Sequence, residues 1–167
     1  MIPIHQAVNH CASEDVGLIF IDAHADLSDT FQGSAYSNGC PLRRAMELER
    51  FSPERTILVG TRCLEPAGKN FIATHNMKVF PAYEVAERGM RVIADEIRTR
   101  FSKLSNVYLS TLIRCLHVLP VVGADLVEVA PPLDVSDITS FAALRIITEI
   151  FALVQRRVNA HERITLL

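Results

Sequence analysis

Three side chains of metal-ligating type stand close together near the start of the chain. Asp22, His24 and Asp26 occupy alternate positions, and another carboxylate, Asp29, follows three residues later. Carboxylate oxygen and imidazole nitrogen suit a divalent cation of the manganese, iron or zinc type. An extended backbone would place the three side chains on one side, whereas a sharp turn would gather them around one or two metal ions. The alternative is that these residues only cap a turn after a strand.

A short apolar run predicts the strand that positions these residues. Val16–Ile21 is a β-branched apolar segment between turn signals, which is typical of a strand buried on both faces of a parallel sheet. The candidate ligands begin where this run ends, and ligands bind at the carboxyl ends of strands in open α/β sheets. Ser28 to Cys40 is rich in glycine, serine and asparagine, so it predicts a loop after the ligands.

The remainder of the chain alternates between helical and strand patterns. Apolar runs predict further strands, and spacings of three and four residues predict helices. The predicted strands cover residues 56–60, 78–80, 106–109 and 124–129. The predicted helices cover residues 2–11, 41–48, 66–76 and 83–104, with a short one around 112–119 and a last one from about 136. This alternation predicts an α/β fold with a parallel sheet and a single domain over residues 1–167.

Composition limits the classes of protein that the chain can represent. It has 167 residues, about half of them apolar, and a formal net charge of −2, so it predicts a globular protein with no electrostatic affinity for nucleic acid or an anionic membrane. The four cysteines are widely spaced, which favours free thiols in a reducing compartment. No apolar stretch reaches the ~20 residues of a membrane span. We therefore expect a cytoplasmic protein.

The candidate ligands resemble a motif of the ureohydrolase family, which comprises arginases and agmatinases. Residues 22–26 (DAHAD) match the family's Asp-Ala-His-x-Asp segment, and residues 33–37 (GSAYS) match the layout of the loop that follows it. Residues 123–131 (GADLVEVAP) are similar to a late family strand that carries a guanidinium-binding glutamate. The resemblance implies a three-layer α/β/α fold with a mainly parallel sheet, from which some family strands are missing.

The resemblance also implies roles for individual residues. Asp22 would bridge two manganese ions (Mn²⁺), and His24 and Asp26 would each hold one of them. A bridging water molecule of lowered pKa would attack the guanidinium carbon and release urea. Glu128 would pair with the guanidinium of a small arginine-like or agmatine-like substrate. Without the family, Glu128 is only a charge at a strand end. Because the family forms oligomers, association with a second copy or an intact relative is also implied.

Two family elements are absent or altered around the first motif. A metal-binding histidine comes from a Gly-Gly-Asp/Glu-His-Ser segment in the family, and we expect this chain, which starts at Met1, to begin just downstream of that segment. His5 and His10 are predicted to be helix residues instead. The family loop reads Ser-His-Gly where this chain has Asn38-Gly39 after a serine. Asn38 can hydrogen-bond but cannot exchange a proton near neutral pH, and the alternative is that the pair simply forms a turn.

A third family element is missing from the middle of the chain. The family places a Ser-x-Asp-x-Asp segment with two metal-binding carboxylates after a middle strand. Here Ser110 is followed by Thr-Leu-Ile-Arg, and no acidic residue occurs between Glu96 and Asp125. An internal deletion that joins Ser110 to a later helix, with Arg114 and His117 in that helix, accounts for this pattern.

These departures leave three of six implied metal ligands. Adjacent dications repel and need several anionic ligands, so Asp22, His24 and Asp26 predict at most one bound Mn²⁺. The first hypothesis is therefore a guanidino-compound hydrolase of weak or no activity. The second is a non-catalytic remnant that binds a partner or an intact relative, and the third is a mononuclear metal-binding protein.

Overall fold

Residues 1–110 and 121–126 are described by the computed structural model, together with residues 143, 144, 146–148, 151 and 155, which are helical. The remaining α-helices are α1 Ile2–Cys11, α2 Pro41–Ala45, α3 Pro66–Thr74, α4 Ala82–Arg88 and α5 Met90–Arg100, and a short 3₁₀ helix covers Pro53–Arg55. The strands are β1 Val16–Ile21, β2 Thr56–Thr61, β3 Lys78–Pro81, β4 Asn106–Ser110 and β5 Val121–Asp125. None of the described helices has the length and apolar composition that crossing a membrane requires.

The five strands form one parallel sheet in the order β3-β2-β1-β4-β5. β1 lies at the centre, where Ile19 is opposite both Ile57 of β2 and Leu109 of β4. The chain builds β2 and β3 on one side of β1 and then returns to build β4 and β5 on the other. Such a reversal creates a crevice outside the carboxyl ends of the central strands. The predicted α/β fold with a mainly parallel sheet is confirmed.

Both faces of the sheet are covered, which makes the fold three-layered. On one face, Ile19 belongs to a buried cluster that includes Ile97 of α5. On the other face, Phe20 belongs to a second cluster with Leu42 of α2 and Phe71 of α3. Because neighbouring residues of a strand point to opposite faces, a strand between two layers must be apolar throughout. This explains the continuous apolar run of β1.

The helix predicted over residues 83–104 is in fact two helices, so that prediction is wrong. Gly89 has a φ of +79°, a left-handed conformation that ends α4 at Arg88 and precedes α5 at Met90. Glycine adopts this conformation without the steric cost that a Cβ atom would impose. The apolar spacing continues across the break because both helices cover the sheet.

Several other boundaries differ from the predicted ones: α3 ends at Thr74 instead of residue 76, and β2, β3 and β4 each extend one residue further than predicted. The largest differences are at α2 and β5. α2 ends at Ala45 rather than at residue 48, because the Leu48 N–H donates to the Ala45 carbonyl at 3.1 Å and closes a tighter turn. β5 begins at Val121 rather than at residue 124. Its predicted end at residue 129 lies outside the described residues, and the single domain over residues 1–167 stays a prediction.

Candidate metal and ligand site

The loops that follow β1 and β2 are joined by their backbones. The Ala23 carbonyl accepts hydrogen bonds from the N–H groups of Arg62 and Cys63, at 2.9 and 2.8 Å. Next to this contact, His24 and Cys63 pair as an isolated parallel bridge. The pairing of the two strands therefore continues past their ends and holds the candidate ligands against the loop after β2.

Asp22 is engaged by its neighbour two residues along the chain. Its Oδ1 accepts the backbone N–H of His24 at 2.8 Å and lies 3.3 Å from Nδ1 of the same residue. The Asp22 side chain is 15% exposed, whereas that of His24 is 57% exposed. This is the local turn that an aspartate after a strand commonly makes, so the alternative of a turn-capping role is realised for Asp22.

Asp26 lies where the backbone leaves the extended conformation. Its φ is +51°, in the left-handed region that aspartate tolerates better than most residues. Its carbonyl accepts the N–H of Arg43 in α2 at 3.1 Å. The loop therefore turns sharply at Asp26, and the fully extended arrangement of the three candidate ligands does not occur.

The candidate ligands do not form a ready coordination shell. Among the described residues, no three histidine, cysteine, aspartate or glutamate side chains are placed to hold one metal ion. A pair of manganese ions needs several converging anionic ligands, and the described residues do not fit that requirement. Metal ligation by Asp22, His24 and Asp26 stays a prediction.

A cavity of about 590 Å³ opens between the two loops. Its lining includes His24 and Asp26 from the loop after β1 but not Asp22. The other polar groups of its wall come from Ser28, Asn38, Arg62, Cys63 and Glu65. Two carboxylates and one guanidinium give this wall a net negative charge at neutral pH. The cavity lies outside the carboxyl ends of β1 and β2, where ligands bind in this class of fold.

The later part of the loop between β1 and α2 also lines the cavity, through Phe31, Asn38 and Gly39. Phe31 and Ser34 exchange backbone hydrogen bonds of 3.0 and 3.1 Å around a tight turn. The Phe31 ring then covers Gly39, where an added Cβ would lie only 3.1 Å from the ring. Asn38 also lines the cavity. The Cys40 N–H donates to the Ser37 carbonyl at 3.0 Å and so closes a turn around Asn38 and Gly39. The alternative of a turn at Asn38-Gly39 is thus confirmed, and a functional role for Asn38 stays a prediction.

Carboxylates around the loop have local partners. Glu65 accepts a hydrogen bond from the Ser28 hydroxyl inside the cavity. Outside it, Arg44 lies 2.6 Å from Asp29, which is the third carboxylate of the sequence cluster. Asp29 is 73% exposed at its side chain and does not line the cavity. The ion pair therefore fastens the loop to α2 instead of contributing a metal ligand.

Several predicted residues take no part in this cavity or lie outside the described residues. His5 and His10 are in α1, as predicted, and His5 is buried against the Phe51 and Tyr108 rings at 5.9 and 5.6 Å. Glu128 lies outside the described residues, as do Arg114 and His117. The proposed guanidinium contact of Glu128 therefore stays a prediction.

Sequence reasoning missed the contribution of the loop after β2. Arg62, Cys63 and Glu65 line the cavity although no motif marks them. A usable signal exists, because polar residues follow a second predicted strand, and parallel neighbours end at the same edge of a sheet.

The free-thiol prediction is confirmed for Cys11, Cys40 and Cys63. Burial raises the pKa of the Cys40 thiol and keeps it protonated at neutral pH.

Comparison with known protein sequences finds relatives in the arginase family. The sequence model of the Arginase family matches residues 1–115 and 111–152. Guanidinopropionase from Pseudomonas aeruginosa is 26% identical over an alignment that covers 92% of this chain and 57% of that protein. Agmatinase from Halalkalibacterium halodurans is 29% identical, with 88% of this chain and 58% of that protein covered. The chain thus spans less than three fifths of these relatives.

The solved structures share the fold. Proclavaminate amidinohydrolase from Streptomyces clavuligerus superposes with a TM-score of 0.81 at 24% identity, over 93% of this chain and 61% of that one. A hypothetical agmatinase from Burkholderia thailandensis gives 0.79 at 24% identity, over 95% and 57%. The alignment with guanidinopropionase extends over 183 positions, more than the 167 residues of this chain, so the relative carries residues that this chain lacks within the aligned span.

Proposed function

Because the chain belongs to the arginase family, we propose that its cavity receives a small guanidino compound and hydrolyses it weakly or not at all. The relatives include proteins named for guanidino substrates, such as guanidinopropionase and guanidinobutyrase. One observation supports the claim that hydrolysis is weak or absent. No three metal-ligating side chains converge among the described residues.

The chemistry of the reaction explains why this observation matters. Release of urea from a guanidinium at neutral pH requires an activated water molecule, which a pair of metal ions would supply. Asp22 uses Oδ1 for its own turn, and Asp26 stands at a sharp bend. The sequence offers no acidic residue between Glu96 and Asp125 to replace the missing carboxylates. Single occupancy by Mn²⁺ is the most that we propose for this set.

The remaining groups favour binding of a cation over its hydrolysis. Asp26 and Glu65 bring negative charge to the cavity wall, and the Phe31 ring supplies an aromatic surface beside them. A guanidinium is attracted to both kinds of group. We propose that Glu128 adds the guanidinium contact that the family resemblance implies. We also propose that the protein acts in the cytoplasm.

A urea assay on the full chain tests this function. The protein, shown to be folded by circular dichroism, is incubated with excess manganese and with agmatine, arginine, 3-guanidinopropionate or 4-guanidinobutyrate. We expect urea at the level of a protein-free sample, while the Halalkalibacterium halodurans agmatinase assayed in parallel turns over its substrate. Turnover within about tenfold of that control on any of these compounds would overturn the proposal.

An exposed apolar stripe supports a second candidate function, self-association. Leu144, Ile147 and Phe151 are 60%, 39% and 69% exposed, and their spacing places them on one side of a helix. Large apolar side chains grouped in this way mark interaction surfaces, and a second copy of the chain presents the same stripe. Light scattering after gel filtration should show a dimer that Phe151→Glu dissociates and Tyr83→Glu does not. A monomeric parent chain would exclude this candidate.

A further inference from the structure

Arg62 places a positive charge in the wall of the cavity between the loops after β1 and β2. The residue is exposed, and it shares the cavity with the carboxylates of Asp26 and Glu65. Even so, no carboxylate of the described residues lies within ion-pair distance of its guanidinium. By contrast, Arg44 lies 2.6 Å from Asp29 just outside the cavity. Arg62 therefore has a guanidinium that can accept an anionic partner from a ligand.

The backbone that carries this side chain is held in place. The Arg62 N–H donates to the Ala23 carbonyl at 2.9 Å, and the Cys63 N–H donates to the same oxygen at 2.8 Å. Thr61, directly before Arg62, is buried at the end of β2. Since the backbone is already ordered, a ligand that pairs with Arg62 has to immobilise little more than one side chain. The planar fork of a guanidinium suits a carboxylate, with which it makes two parallel hydrogen bonds.

The same cavity offers negative charge for the other end of a ligand. Asp26 and Glu65 supply carboxylates, and the Phe31 ring lies in the same lining. The Ser28 hydroxyl donates to Glu65 and so ties that carboxylate to the facing loop. The cavity volume of about 590 Å³ falls within the roughly 300–1,000 Å³ typical of small-molecule sites. Groups of both signs in one cavity of this size suit a small molecule that carries both charges.

We propose that Arg62 binds the carboxylate of a guanidino acid, so that the cavity prefers such compounds, for example 4-guanidinobutyrate, to agmatine. This inference rests on the proposed function, because it requires the guanidinium of the ligand to lie in the same cavity. A guanidino acid gives Arg62 the anionic partner that the described residues do not supply. Agmatine carries an ammonium group at that end instead, and Arg62 repels it. The preference concerns binding alone and requires neither a metal ion nor turnover.

Calorimetric titration of the full chain with 4-guanidinobutyrate and with agmatine tests the preference. The parent chain should bind the acid at least about tenfold more tightly, because a charged hydrogen-bonded pair is gained and a repulsion is avoided. Arg62→Gln should weaken binding of the acid at least about tenfold and leave agmatine binding equal or tighter. Arg62→Lys keeps the charge but not the fork, so its affinity for the acid should lie between those of the parent chain and Arg62→Gln.

Arg91→Gln is the matched control for the loss of one positive charge. Arg91 is also exposed and also has no carboxylate within ion-pair distance in the described part of the chain. It belongs to α5 and does not line the cavity. Arg91→Gln should therefore bind both compounds as the parent chain does. Because both arginines are exposed, replacing either one leaves the core intact, and circular dichroism of each variant verifies the fold.

Three results would overturn this inference and leave the proposed function standing. They are agmatine binding by the parent chain as tight as that of the acid, binding of the acid by Arg62→Gln equal to that of the parent, and an equal loss in Arg91→Gln. If the parent chain bound neither compound, the proposed function would fall and the inference with it. Turnover in the urea assay would overturn only the claim of weak hydrolysis, and the preference for a guanidino acid would stand.

Discussion

β1 and β4 are neighbours in the sheet, with Phe20 opposite Ser110, but their carboxyl ends differ in chemistry. β1 leads into Asp22, His24 and Asp26, whereas β4 ends at Ser110 and is followed in the sequence by a stretch without acidic residues up to residue 124. Inside the sheet the two strands are alike, because both are buried along almost their whole length. Strand interiors therefore determine the sheet, and strand ends determine the chemistry. The ligands at a strand end can be lost while the sheet is kept.

This separation has a simple physical origin. The interior of a strand gains free energy from apolar burial on both faces, and that gain is independent of the residues beyond the strand end. A coordination shell for two cations needs ligands from several strand ends at once. Losing one strand end therefore removes much of the metal affinity and little of the sheet.

The largest effect is expected in the strand interior. Phe20 is 1% exposed at the centre of the sheet, so Phe20→Ala should lower the free energy of unfolding by about 3–5 kcal/mol. Tyr36→Ala, in the loop after the same strand, removes a side chain that is 75% exposed and should change it by less than about 0.5 kcal/mol. Urea denaturation followed by circular dichroism measures both. Equal losses would show that the loop and the strand interior are not energetically separate.

The next effect concerns the part of β2 that lies beside the end of β1, where the family motif begins. Gly60, in β2 beside the Asp22 carbonyl, has a φ of +81° at a register shift between Val59 and Thr61. Gly60→Ala should destabilise the protein by about 1–2 kcal/mol, because a Cβ atom disfavours this conformation. Gly68→Ala is the control. Gly68 lies within α3, and an added Cβ there would meet Leu27 Cβ at 3.7 Å, an ordinary contact, so about 0.5–1 kcal/mol of stabilisation is expected. Changes of the same sign in the two variants would contradict the backbone argument.

A pair of substitutions compares the two strand ends directly. Asp22→Ala removes the acceptor of the His24 N–H and should cost about 0.5–1.5 kcal/mol, whereas Asp22→Asn keeps an acceptor oxygen and should cost less. At the other end, the Ser110 hydroxyl contacts the weakly accepting sulfur of Met1 at 3.5 Å. Ser110→Ala should therefore change the denaturation midpoint less than Asp22→Ala does. The reverse order would mean that the end of β4 has the more important polar contact.

The smallest effect lies away from both strand ends and serves as a baseline. Hydrogen bonding to Arg88 lowers the pKa of Glu96, and Lys78 lies 3.8 Å away. Because the folded pKa is the lower one, this contact stabilises the fold above the unfolded pKa of about 4.3, and the contribution is lost as the pH falls through the folded value. Glu96→Gln should lower the Tm slightly at pH 7, and this difference should vanish in strong acid. A pH-independent difference would show that the charge is not responsible.

Much of the fold follows from local sequence patterns. Val16–Ile21 forms β1 with the predicted bounds, because a short apolar run between polar turns leaves a strand few alternatives. Gly89 is unfavourable in a helix, yet the apolar spacing continues across it and predicts one helix where the structure has two. Local periodicity cannot distinguish one helix from two that cover the same sheet. The family motif at Asp22, His24 and Asp26 is readable without a structure, since its residues are nearly contiguous in the sequence.

Residue types at short range are enough to establish the α/β fold, the family and the lack of acidic residues between β4 and Asp125. Three features required the assembled sheet: Cys63 lies beside His24, Asp22 is used in a turn, and no three described ligands converge. Such contacts depend on the order of strands and on the backbone angles of a loop. Because several strand orders suit the same apolar runs, the partners of an exposed side chain are settled only when the strands come together.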